Sequence, residues 1–334
     1  YLNYYFNLLA NLIDNKHLVP HLRSAGLLEI LLEFLTLRNK FRMTRSGPLQ
    51  LIELFIKILP DLLDDFIAQN GFNILIDLLK YEVDFALENP NYDGGAPKDA
   101  IVTHSISVRQ IKTINSTLKL TLYLLKNHHG DRMRNLFDSN ILKSLIKIIE
   151  NPSVFGVDLL SDTLLIITSI MNNEPTSFSI LKEARVIDTF FNHFSNFLTK
   201  STDLLVAIPE SFSAIGLNKE GLKLLKESDC INRFLQVFKD VELCKLLLKD
   251  DNCSLIGYSM NELARHHPEL EPLIEKAVIK LFNEIPDLLN FEEDDFYQSE
   301  QGSLCHSRKA TYDKFEEDES AMETWETSAS ANLL

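Results

Sequence analysis

Five segments of the chain repeat one arrangement of hydrophobic and polar positions: SAGLLEILLEF from Ser24, QNGFNILIDLL from Gln69, DSNILKSLIKII from Asp138, EARVIDTFFNHF from Glu183 and ESDCINRFLQVF from Glu227. Each reads as a turn residue followed by an amphipathic helix, with apolar side chains recurring every three or four residues. Upstream of these copies the same period returns, as in Leu118, Leu122 and Leu125, or Leu204, Leu205, Ile208, Phe212 and Ile215. A longer helix and a short one are therefore expected before each copy.

With Gly26, Gly71, Asn140, Arg185 and Asp229 as equivalent positions, the spacings are 45, 69, 45 and 44. The long interval contains ENPNYDGGAPKD, whose Asn, Gly, Pro and Asp favour turns over helix interiors. A loop insertion over residues 89–109 accounts for the excess. A period of about 45 residues is that of armadillo and HEAT units, two or three helices stacked on their neighbours. The fold class is all-α, an armadillo/HEAT-like solenoid, with repeats over 1–88 and 110–289.

Gly26 and Gly71 suit left-handed turn positions, and Asn140 is the next most tolerant residue. Arg185 departs from this, so its turn must be of another type or strained. The last unit, SLIGYSMNELARHHPELEPLIEKAVIKLFNEIPDLL, reads as two helices with Pro268 and Pro272 at the turn between them.

Each shared helix also carries two polar residues four apart: Glu29/Glu33, Asn73/Asp77, Lys143/Lys147, Asp188/Asn192 and Asn232/Gln236. Residues i and i+4 share one helix face. The plain reading is a solvated stripe. The functional one is that the pairs line the concave, protein-binding surface of the solenoid. Their charges run from acidic through basic to neutral, so a uniformly charged ligand is not expected there.

Charge changes the picture at one end. Of the formal net charge of −15, residues 290–334 hold 12 acidic and 3 basic side chains, or −9, leaving −6 on the preceding 289 residues. An acidic body argues against direct nucleic-acid binding, which rests on Lys and Arg neutralising phosphates. Residues 290–334, acidic and rich in Ser and Thr, read as a disordered linker. Their charge could also steer basic protein clients to the chain.

Chemistry is sparse. Cys230, Cys244, Cys253 and Cys305 form no CxxC pair. His128/His129 and His266/His267 read as surface loop histidines, and His17/His21 are separated by Pro20 with no HExxH pattern. Asp61, Asp64 and Asp65 after Pro60 look like a helix start whose carboxylates meet the dipole. Gly94-Gly95 lacks the context of a phosphate loop, and no nucleophile elbow is present. No cofactor or metal is expected, and a free-standing metal-dependent or hydrolytic enzyme is disfavoured. The longest apolar run, Leu164 to Met171, already contains Thr168 and Ser169, so no membrane span is expected, and the N-terminus shows no secretion signal. A chain starting at Tyr1 reads as a segment of something longer.

Three strings carry a resemblance: LIDLLKYEVDFALENP (75–90), AIPESFSAIGLNKEGLKLLKES (207–228) and SMNELARHHPELEPLIEKAVIKLFNEI (259–285). Over residues 15–289 the chain resembles the armadillo-like N-terminal region of the Mule-type giant HECT E3 ubiquitin ligases, in their fungal branch. The resemblance implies a helical scaffold presenting protein substrates to a distant HECT domain, an acidic insertion after the last repeat, and a place in cytoplasm and nucleus. A HECT domain transfers ubiquitin through a cysteine thioester and would itself meet the ubiquitin-conjugating enzyme. No cysteine here stands in such a context, so no catalytic residue is carried over. The competing reading is a stand-alone armadillo adaptor for import or junctional cargo. Such receptors resemble one another in an inner ladder of Trp and Asn, whereas the sole Trp here, Trp325, lies in the acidic stretch.

Overall fold

Amphipathic segments of 6–22 residues separated by Gly, Asn, Pro and Ser become helices that cannot bury their apolar faces alone and must stack. The computed structural model describes residues 2–37, 44–89, 106–127, 140–174, 176–249 and 252–288, and these form seventeen α-helices, two short 3-10 helices and no strand. The chain divides into two compact units, Tyr1–Leu281 and Phe282–Leu334. Of the second, only residues 282–288 are described, as the end of the final helix.

The units repeat a long–short–third order. α1 (Leu2–Asp14), α2 (Val19–Ser24) and α3 (Leu27–Thr36) form the first, and α4 (Ser46–Ile58), α5 (Leu62–Ala68) and α6 (Gly71–Glu88) the second. α7 (Val108–Asn127) and α8 (Ile141–Glu150) belong to the third, whose residues 128–139, including His128 and His129, lie outside the described set. α9 (Pro152–Asn173), α10 (Ser177–Glu183) and α11 (Val186–Asn192) follow, then α12 (Thr202–Gly216), α13 (Lys219–Glu227) and α14 (Cys230–Gln236). α15 (Val241–Lys249) leads to α16 (Asn252–His266) and α17 (Glu271–Leu288). In this last unit a four-residue turn, 267–270, stands where the others place a short helix.

The long helices α1, α4, α7, α9, α12 and α16 each pack on the next, and the third helices α3, α6, α8 and α11 do the same. These two layers make an armadillo/HEAT-like solenoid. Polar ties cross between units at the repeat spacing. Asn115 Nδ2 donates to Asp162 Oδ2 at 3.2 Å, 47 residues away, and the Thr168 and Ser211 hydroxyls bond at 2.8 Å across 43 residues. Asn196 Nδ2 reaches the Ile149 carbonyl at 3.0 Å, again 47 residues off. Between α11 and α14 the core is aromatic: Phe190, Phe194, Phe212 and Phe234 follow one another with centroids 5.6, 5.7 and 6.1 Å apart. Such pairs add about 0.5–1.5 kcal/mol each beyond burial.

The turns differ from the expected glycine pattern. Gly26 is left-handed (φ 74), and so is Arg185 (φ 67), the strained alternative at that position. In the second unit the left-handed residue is Asn70 (φ 65), not Gly71. Gly71 is required for a different reason: a Cβ there would lie 2.5 Å from the Phe66 ring. Asn140 is right-handed (φ −63), so its helix begins without the left-handed turn. The aspartates after Pro60 do start a helix, α5, with Asp64 and Asp65 in its first turn and Asp65 bonded to Arg23 at 2.7 Å.

α9 is long and apolar enough to cross a membrane by length and composition, but 78% of its apolar window is buried inside the fold. Its hydroxyl residues do not interrupt it, because Thr163 Oγ1 donates back to the Leu159 carbonyl at 2.7 Å and Thr168 is met by Ser211. The insertion assigned to 89–109 lies outside the described residues over 90–105, and so does all of the acidic stretch 290–334.

Candidate protein-binding face

The five polar pairs all fall on third helices. Glu29 and Glu33 on α3, Asn73 and Asp77 on α6, and Asp188 and Asn192 on α11 are exposed, as is Lys143 on α8. Lys147, Asn232 and Gln236 are half-buried. Because α3, α6, α8 and α11 pack consecutively, the first four pairs form one row across four units.

Among the described residues no hydrogen bond or ion pair joins one of these pairs to another; they bond to their own surroundings. Lys147 Nζ holds Asp84 of α6 at 2.5 Å, an ion pair partly open to solvent and worth roughly 0–1 kcal/mol. It joins units on either side of the long sequence interval. Asn73 Nδ2 donates to Asn70 Oδ1 at 2.8 Å, helping to hold the left-handed turn, and the Asn232 amide spans both oxygens of Asp229 at 3.1 and 3.2 Å. The Gln236 amide nitrogen is enclosed with no partner among the described residues. Beside the row, Asp77, Lys80, Tyr81, Asp84, Phe85 and Glu88 line a shallow groove of about 300 Å³ along α6.

Four features escaped the sequence. Arg45 and Glu82 form an ion pair at 2.7 Å with side chains 0% and 1% exposed. Arg45 Nη2 also donates to the Leu37 carbonyl at 2.9 Å, its guanidinium lies 5.4 Å from the Tyr81 ring centre, and Gln110 Nε2 donates to the Glu82 carbonyl at 2.9 Å. This network locks the first unit to α6 and α7. Glu82 does carry a signal: it sits among Leu75, Leu78, Leu79, Val83 and Ala86 on the apolar stripe of α6, where a charge must find a partner.

The second is His267. Read as a surface loop residue, it is buried (9% exposed) against Gly216, where an added Cβ would meet its Nε2 at 2.8 Å. Burial holds its pKa below the ordinary value, opposed by a hydrogen bond to the Ser213 backbone. The third is Asp162, whose carboxyl is pushed up to about 6 by desolvation, with Lys119 opposing and Asp158 and Asp203 reinforcing. Among cysteines, Cys230 is buried and its thiol is raised by desolvation, against the direction needed for a thiolate nucleophile. Among the described residues no group of three or more His, Cys, Asp or Glu could hold a metal ion.

The fourth is an open groove of about 260 Å³ between the end of α13, α14 and α17, with Asn232 of the last polar pair on its wall. Leu225, Ile231, Leu273 and Ala277 make its apolar lining, while Lys276 and Lys280 stand on its rim.

Residues 46–331 match the family described as Domain of Unknown Function (DUF913). The chain is 40% identical over 333 residues to the probable E3 ubiquitin-protein ligase TOM1 of Eremothecium gossypii, covering 99% of this chain and 10% of that one. It is 38% identical over 296 residues to the E3 ubiquitin-protein ligase TOM1 of Saccharomyces cerevisiae, covering 88% and 9%. With the E3 ubiquitin-protein ligase HUWE1 of Mus musculus it shares 24% identity over 247 residues, 67% of this chain and 6% of that one. It thus spans about a tenth or less of the length of these curated relatives. The chain belongs to the DUF913 family, and over nearly its whole length it is similar to one segment of the far longer fungal proteins named as E3 ubiquitin-protein ligases.

Proposed function

We propose that this chain is a non-catalytic scaffold and substrate-recruiting segment of a HECT-type E3 ubiquitin ligase. The observation that carries this reading is the 40% identity, over 99% of the chain, to a relative named as a probable E3 ubiquitin-protein ligase. The stacked architecture supports the recruiting role: a solenoid offers extended surface rather than a closed pocket, and a row of exposed polar side chains crosses four consecutive third helices. The parent would transfer ubiquitin through a cysteine thioester on its HECT domain, which alone would meet the conjugating enzyme. Work in cytoplasm and nucleus, and capture of basic clients by residues 290–334, complete the proposal; the −9 charge of that stretch is the motive for the second.

In the parent ligase, removing residues 1–288 should leave ubiquitin thioester formation on the HECT cysteine intact while substrate ubiquitination falls. Loss of the thioester itself, or unchanged modification of every substrate, would overturn the assignment. Removing 290–334 alone should weaken binding of basic clients at low salt.

A further inference from the structure

We propose that the groove between α14 and α17 docks an acidic peptide segment through an apolar anchor residue. This deepens the recruiting role proposed above and rests on it only for the premise that the partners are proteins.

The groove has a floor and a rim of different chemistry. Leu225, Ile231, Leu273 and Ala277 give an apolar lining, and Leu273 remains 37% exposed there. At about 260 Å³ it falls below the roughly 300–1,000 Å³ of small-molecule sites, yet it accommodates one large side chain. Lys276 and Lys280, also on its lining, are both exposed, and among the described residues no ion pair engages either. Asp229, the one carboxylate on the groove wall, has both oxygens engaged by the Asn232 amide. Two exposed ammonium groups therefore overlook an apolar slot, in a chain whose formal net charge is −15.

Spacing favours an extended peptide. Four residues of helix rise about 6 Å, the separation along α17 of the Lys276 and Lys280 backbones. In an extended strand, side chains at i and i+2 lie about 6.6 Å apart on one face, and the residue between them points the other way. Carboxylates at i and i+2 can meet the two lysines while an apolar residue at i−2, on the same face, enters the groove beside Leu273. The groove along α6 differs in chemistry: Asp77, Asp84 and Glu88 line it with Lys80, and Asp84 is already tied to Lys147 of α8.

The test is fluorescence anisotropy on the full chain with a dye-labelled nine-residue peptide that carries Phe at position 3, Glu at positions 5 and 7 and Ser elsewhere, called the Glu/Phe peptide, so that Phe and both Glu share one face. Three comparisons accompany it: the peptide with Phe replaced by Ser, the peptide with Glu replaced by Lys, and a charge-matched control variant, Lys112→Glu with Lys126→Glu on α7. The Glu/Phe peptide should bind, and Lys276→Glu with Lys280→Glu should weaken it by about tenfold, with Lys276→Gln plus Lys280→Gln intermediate. The α7 variant should change affinity less than about twofold, and both altered peptides should bind more weakly. Equal losses for the α7 and α17 variants would overturn the proposal, as would equal binding by the Lys/Phe or Glu/Ser peptide, or no binding at all. The assay uses this chain without its parent, so a negative result leaves the ligase assignment standing. Failed substrate ubiquitination in the parent would, conversely, leave this docking site intact.

Discussion

α6 and α17 are both third helices of 18 residues, and they are used in opposite ways. α6 buries Phe72, Leu75, Ile76, Leu78, Leu79, Val83 and Ala86, and closes one of its flanks with the Lys147–Asp84 pair. Over Glu271–Leu281, α17 buries only Ala277 and Leu281 and leaves Ile279 52% exposed. Both segments are amphipathic, EPLIEKAVIKL with four charged residues and GFNILIDLLKY with two. What differs is company: α6 sits between α3 and α8 and packs on α7, whereas no helix of the described residues packs broadly on α17. A solenoid stabilises each repeat through its neighbours, so a helix with one weak neighbour keeps surface that an interior helix has already buried.

The comparison can be broken most forcefully at Glu82. Glu82→Ala strands the Arg45 guanidinium in the core, and urea unfolding should show a loss of about 3–5 kcal/mol. Lys276→Ala and Lys280→Ala, changes to charged residues of the same helix class on α17, should each move stability by less than about 0.5 kcal/mol. Equal costs at the two places would remove the distinction.

Asp162 sharpens the same point, because it shows a charge penalised by the packed middle of the stack. Its pKa in the fold is about 6 against an ordinary 3.8, so the protonated form is the one the fold prefers. That preference supports the fold fully below the ordinary carboxylate range and is lost as pH rises through about 6. Asp162→Asn, which keeps an acceptor for Asn115, should therefore stabilise the chain at pH 7 by on the order of 1–2 kcal/mol, after discounting for the half-buried position. At pH 4 the gain should vanish. Denaturant titrations at the two pH values check it, and a pH-independent gain would contradict the assignment.

A smaller effect is expected at Arg185. Glycine there relieves a left-handed backbone costing about 1–2 kcal/mol but loosens the unfolded chain by about 0.4–1 kcal/mol. Arg185→Gly should be net stabilising by about 0.5–1 kcal/mol in thermal or urea unfolding.

Much of this architecture was readable from the chain because it is written in short-range pattern. Helical periodicity, the 45-residue return of a turn plus amphipathic helix, and the polar pairs at i and i+4 are local signals, and all five pairs do land on third helices. What could not be read depends on partners far along the chain. Nothing near Arg45 announces that Glu82, 37 residues away, will be buried beside it. His267 looks like a loop residue until α12 presents Gly216 to it. The α14–α17 groove exists because two helices fail to close, and periodicity says which face of a helix is apolar but not whether a neighbour covers it. The turns show a milder limit: the pattern located them, but Asn70 takes the left-handed conformation, while Gly71 instead leaves the space that the Phe66 ring fills.

The central claim, that stacking protects the interior third helices and leaves α17 available, is tested most directly by amide hydrogen exchange on the full chain under native conditions. Interior amides of α6 should exchange close to the rate set by global unfolding, while those of Glu271–Leu281 should exchange orders of magnitude faster. Equal protection of the two helices would contradict the account.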